Sequence, residues 1–123
     1  MIGLVILSLT TAAAPPPPTM PGFFDAARLA AVCSANGPDA KSGQAICMGY
    51  VVGAVDQLMV QQARRDEVRR TICPPKTLSA TDAMKAVVKY SRFASTAHGI
   101  GAAGFVRFAM EDTYPCAIRG GGR

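Results

Sequence analysis

Four cysteines are the residues best placed to do chemistry in this 123-residue chain: Cys33, Cys47, Cys73 and Cys116. Thiols can bind zinc, act as nucleophiles or close disulfides. Zinc sites favour paired ligands such as C-x-x-C and supporting histidines; the chain has no C-x-x-C, and His98 is its only histidine. No base partner that would activate a thiolate is visible beside any of them. An even cysteine count behind an export-like N-terminus points instead to a disulfide framework in an oxidising compartment.

The other polar candidates are weak as catalysts. His98 is flanked by the turn residues Ser95, Thr96 and Gly99 and reads as a surface-turn histidine. Glu111 and Asp112 are adjacent, so on a helix they do not face each other as a glycosidase carboxylate pair would. No nucleophile, base and orienting group occur together. The expectation is a non-enzymatic protein without cofactor or metal.

Bulk composition agrees with a small helical domain. Half the residues are hydrophobic and Trp is absent. The net charge of +5 favours acidic partners in general. The densest cationic run, Arg64–Arg70, is interrupted by Asp66 and Glu67, which argues against a nucleic-acid patch.

Residues 1–14 read as a signal peptide, with an apolar run ending in small residues and no Lys or Arg before it. The run is too short to span a bilayer. No cysteine follows it directly, so no membrane anchor is expected once it is removed. Residues 15–22, with Pro15–Pro18 and Pro21, read as a polyproline spacer. The folded domain is expected over residues 23–118, and the Gly-rich tail 119–123 is expected to be disordered. The protein is therefore expected in the periplasm.

The elements that must position the cysteines are four helices, and the expected fold is an all-α bundle stapled by two disulfides. The first helix runs from about Phe24 to Ser34, with Asp25 in its first turn, and Asn36-Gly37-Pro38 stops it. The second runs from about Ser42 to Arg70, with Met48, Val51, Val52, Val55, Leu58 and Met59 at helical spacing. The third begins at Ser79 with Asp82 as its capping-box partner and presents Met84, Val87, Val88 and Ser91. The fourth runs from about Gly99 to Thr113, with Ala102, Phe105, Val106, Ala109 and Met110 inward and Pro115 beyond its end. Antiparallel pairs of neighbouring helices would bring Cys33 to Cys47 and Cys73 to Cys116, the economical pairing among three. In the chain-entropy model such staples contribute roughly 3 and 4 kcal/mol.

The segment Cys47-Met-Gly-Tyr-Val-Val-Gly-Ala-Val-Asp56 resembles the C-x-G-Y-[IV]-x-G-x-x-D signature of the Rap/Tai immunity proteins. The Phe-x-x-Ala-x-x-Leu start, Cys73-Pro74-Pro75 and the ending Tyr114-Pro115-Cys116 are similar to other parts of that family, so the resemblance covers about residues 23–116. It implies a periplasmic binding protein that neutralises a peptidoglycan hydrolase or amidase delivered by a type VI secretion system. Such a protein would act by occluding the effector's active site. The segment after Tyr90 departs from the family's Leu-x-x-x-Pro pattern.

Within the motif, Gly49 and Gly53 are expected to let another helix approach closely, since glycine inside a helix costs about 1 kcal/mol relative to alanine. Asp56 is expected to accept hydrogen bonds from a nearby loop or helix N-terminus, and Tyr50 to pack with its hydroxyl satisfied. Arg92, Phe93 and Arg107, together with the Arg64–Arg70 segment, are the candidate partner-binding residues, because interface anchors are typically aromatic or Arg. A homodimer would bury further apolar surface, with Phe105 and Phe108 as the expected face. The alternative function on the same scaffold is a small envelope structural or chaperone-like protein without a dedicated toxin partner, using a basic, Met-rich face.

Overall fold

A computed structural model describes residues 23–93 and 99–117. The signal segment 1–14, the spacer 15–22, the tail 119–123 and His98 lie outside the described residues. Within them the chain forms α1 (Ala26–Cys33), α2 (Ala40–Ala63), α3 (Ala80–Phe93) and α4 (Ala102–Thr113), with one 3-10 turn at Glu67–Arg69. The fold is the expected all-α bundle, and every pair of helices is in contact.

Helix α1 starts at Ala26, two residues later than the sequence reading placed it. Asp25 is its N-cap rather than a first-turn residue, and its Oδ1 accepts from the Arg28 N–H at 2.7 Å. That bond satisfies a donor the helix itself cannot. The entry to α1 is tied to the entry to α4: the Ala26 N–H donates to the Ile100 carbonyl and the Ala102 N–H to the Phe24 carbonyl, each at 3.0 Å. Gly37, with φ +82°, takes the left-handed conformation that reverses the chain towards α2.

Helix α2 buries Gly43, Cys47, Val51, Val55, Leu58 and Gln62, a stripe of three- and four-residue steps. The expected stripe is corrected at its edge: Met48 is 43% exposed, and Val52 and Met59 are only half-buried. The helix also ends at Ala63 instead of continuing to Arg70. The physical reason is Gln62, which is buried and draws the chain back on itself: its Oε1 accepts from the Thr71 N–H at 2.9 Å.

The capping box on α3 is formed as expected. The Asp82 N–H donates to Ser79 Oγ at 3.1 Å, the Ser79 N–H donates to Asp82 Oδ2 at 3.2 Å, and the Ser79 hydroxyl donates to the same oxygen at 2.6 Å. These bonds hold the Asp82 carboxyl below its ordinary pKa, the Ser79 side chain contributing most.

All five residues expected on the inner side of α4 are buried. Phe105 meets the edge of Tyr90 with ring centroids 5.2 Å apart, so it belongs to the core and cannot form part of a dimer face. Phe108 is exposed.

Both expected disulfides are present. Cys33 and Cys47 are bonded with Cα atoms 4.9 Å apart, and Cys73 and Cys116 with Cα atoms 4.8 Å apart. The first joins the end of α1 to the first third of α2. The second joins the strand-like segment before α3 to the chain leaving α4, where Ile72 pairs with Pro115 and the Cys73 N–H donates to the Tyr114 carbonyl at 2.8 Å.

Candidate functional site

Disulfide bonding consumes all four thiols, so the cysteines are structural staples and none is left as a nucleophile.

The motif residues on α2 divide between two environments. Tyr50 is half-buried, and its ring stacks on Phe24 at 5.3 Å. Burial pushes its phenol above the ordinary value, partly offset by the Ala103 backbone. The Arg28 guanidinium lies 5.0 Å from the centroid of the Phe24 ring on the same stack, a cation–π contact. Gly49, Gly53 and Asp56 are exposed.

The packing expectation for the two glycines is therefore corrected. A Cβ at Gly49 or Gly53 would meet no atom within 4 Å. The close helix approach occurs at Gly43 instead, where a Cβ would stand 2.6 Å from the Ala35 Cβ and 3.1 Å from the Val32 carbonyl oxygen. Among the described residues no donor bonds to the Asp56 carboxylate, which corrects the second expectation. It stands at the rim of a shallow cleft walled by Pro74, Pro75, Leu78 and Ser79.

The expected anchors are separated by their roles. Arg107 Nε donates to Glu111 Oε1 at 2.9 Å, and the Thr71 hydroxyl donates to the same oxygen at 2.8 Å. Gln62 completes the chain, its Nε2 donating to Thr71 Oγ1 at 3.4 Å. Burial raises the Glu111 pKa, but hydrogen bonds from Arg107 and Thr71 and the charges of Arg107 and Arg65 outweigh it and hold the carboxyl below its ordinary value. Arg107 is thus engaged in a clasp between α2, the Thr71–Ile72 segment and α4. Glu111 belongs to that clasp too, and Asp112 is exposed beside it. Sequence reasoning missed Gln62 and Thr71; the one available signal was a polar side chain at a core-facing register of α2.

Arg92 and Phe93 remain available. Both are exposed at the end of α3, Phe93 at 77%. Arg92 lines a groove between α2 and α3 whose floor includes Met48, Met84 and Val88. The Arg64–Arg70 segment forms the turn after α2, where Arg69 pairs with Asp66 at 2.9 Å in full exposure to solvent, a contact that contributes little to stability.

The arrangement offers staples, an aromatic stack, a polar clasp and exposed cationic and apolar side chains, which suit binding another macromolecule. No curated protein and no solved structure matches the chain. The model of the family described as Rap1a immunity proteins matches residues 25–116, a span that runs from the α1 cap through all four helices to the last cysteine and includes the Cys47–Asp56 motif. The chain belongs to the Rap1a immunity protein family.

Proposed function

We propose that this protein binds a peptidoglycan hydrolase or amidase delivered by a type VI secretion system and blocks its active site in the periplasm. The observation that carries the reading is the family match over residues 25–116. The two disulfides support an oxidising compartment. Occlusion needs a rigid body with exposed anchors. The staples supply the first, and Arg92 and Phe93, exposed on a rigid helix, supply the second.

The test is protection. A peptidoglycan-cleaving effector that co-purifies with this protein, directed to the periplasm, should lyse cells that lack this protein and spare cells that co-express it with its export segment. Lysis at the same rate in both would sink the reading.

We also propose a homodimer, through a face other than the one expected from the sequence. Helix α2 contains an 18-residue window with a mean hydropathy of 1.2, long and apolar enough by length and composition to cross a membrane, yet only 28% of that window is buried within the chain. Ile46, Gly49, Gly53 and Val60 are exposed along it. A second copy crossing at the glycines would cover Ile46 and Val60 at close range, giving Gly49 and Gly53 the packing role that the single chain does not give them.

A further inference from the structure

The groove between α2 and α3 has a volume of about 480 Å³. Its floor is apolar and adaptable: Met48 from α2, Met84 and Val88 from α3. Methionine surfaces repack around different apolar side chains at low cost. Its rim is cationic. Lys85, Lys89 and Arg92 line it at four- and three-residue steps, which places them along one side of α3 over roughly 10 Å of helix axis.

Among the described residues no carboxylate lines this groove. Asp82, the nearest acid on the same helix, is committed to the Ser79 capping box, although its field reaches Lys85. Among the described residues neither Lys89 nor Arg92 takes part in a salt bridge. The cleft beside it differs, with Asp56 at its rim. A row of three cations, two of them outside any salt bridge among the described residues, beside a partly exposed apolar floor favours an occupant that carries both carboxylates and apolar side chains.

We propose that this groove docks an acidic surface segment of the cognate effector. The segment's apolar side chains lie on Met48, Met84 and Val88, and its carboxylates meet Lys85, Lys89 and Arg92. The inference rests on the immunity reading and assigns that reading a surface. Rim charges accelerate encounter and set its salt dependence, whereas floor contacts set residence time.

The experiment measures binding rates of the purified protein with the catalytically inactivated form of the effector that it protects against, at low and high salt. The variant K85E/K89E/R92E should lower the association rate by about tenfold or more and remove most of its salt dependence. Met84→Ala should leave association near wild type and raise dissociation by about tenfold. The charge-matched control K76E/R119E/R123E should bind as wild type does. Should the triple reversal fail to fold by circular dichroism, K85Q/K89Q/R92Q takes its place.

Wild-type rates in the groove variants overturn the proposal while the immunity reading stands. So does an equal loss in the control, which would mean net charge and not the groove. Conversion of a wild-type dimer to monomer by the groove variants overturns it as well, by identifying a second copy as the occupant. Absence of binding by the wild-type protein overturns both the groove proposal and the immunity reading.

Discussion

Gln62 does more for this fold than its type announces. It is 5% exposed, and its Oε1 accepts from the backbone N–H groups of both Thr71 and Ile72, at 2.9 and 3.4 Å. Replacing it with leucine keeps the volume but leaves two donors without an acceptor, at a cost of about 1–3 kcal/mol. Urea unfolding of Gln62→Leu should show a lower midpoint with an unchanged slope, the midpoint shift times the slope giving that loss. An unchanged midpoint would mean that water satisfies both donors.

Glu111, next along the same clasp, carries a pH dependence. Its folded pKa lies below its unfolded value of 4.5, so its contribution is fully present above that value. The contribution is lost as pH falls from about 4.5 through the folded pKa. Asp82 acts in the same direction through its capping box. Glu111→Gln should therefore lower stability at pH 7 and flatten the acid limb of the stability profile; a parallel shift at every pH would refute the assignment. The capping box was legible in the sequence; the clasp was not, beyond one polar side chain at a core-facing register of α2. A glutamine in a helix is ordinary, and its partners lie across a turn that only tertiary structure creates.

The helices themselves were legible where local chemistry and burial agree. Ser79 and Asp82 announce the start of α3, and the inward set of α4 follows its period without exception. Reading failed where tertiary structure overrode propensity. Arg64–Arg70 is rich in the good helix formers Arg and Glu, yet α2 stops at Ala63 because Gln62 holds Thr71 behind it. The glycines show the same limit. The sequence ranks Gly49 and Gly53 as tight and passes over Gly43, since spacing cannot say which face meets a neighbour.

Gly43→Ala should destabilise despite alanine's better helix propensity, because the new Cβ would meet the Val32 backbone and Ala35. Gly49→Ala and Gly53→Ala, with open space around each, should each stabilise the monomer by up to about 1 kcal/mol. Thermal melts of the three variants check the ordering; a Gly43→Ala protein that melts higher would show that α1 can move aside.

The staples were paired correctly from the helix layout alone, but their environments were not foreseeable. Cys33 and Cys47 are buried, whereas Cys73 is exposed and Cys116 half-exposed. Thiol attack on a disulfide needs access. Mild reduction of the native protein followed by alkylation should therefore label Cys73 and Cys116 before Cys33 and Cys47. The reverse order by peptide mass spectrometry would mean that α1 opens more readily than the α4 end.

At the scale of the whole molecule, the unusual quantity is how much apolar surface one helix leaves uncovered. A 24-residue helix is about 36 Å long, and in a chain this small a single core cannot surround it. Its outward side carries Ile46, Gly49, Gly53 and Val60, while its other flank, at Met48, floors the groove with the cationic rim. The two surfaces are different faces of α2, so self-association and effector binding need not compete. That separation makes a distinguishing measurement. Gly53→Arg places a long cation where a second copy would cross, in space that is open in the single chain. Sedimentation equilibrium should show a dimer for the wild type and a monomer for Gly53→Arg, with both proteins binding the inactivated effector at the same rate per chain. Dimers in both would move the self-association face elsewhere on the molecule. Loss of effector binding together with the dimer would show instead that the effector site spans two copies.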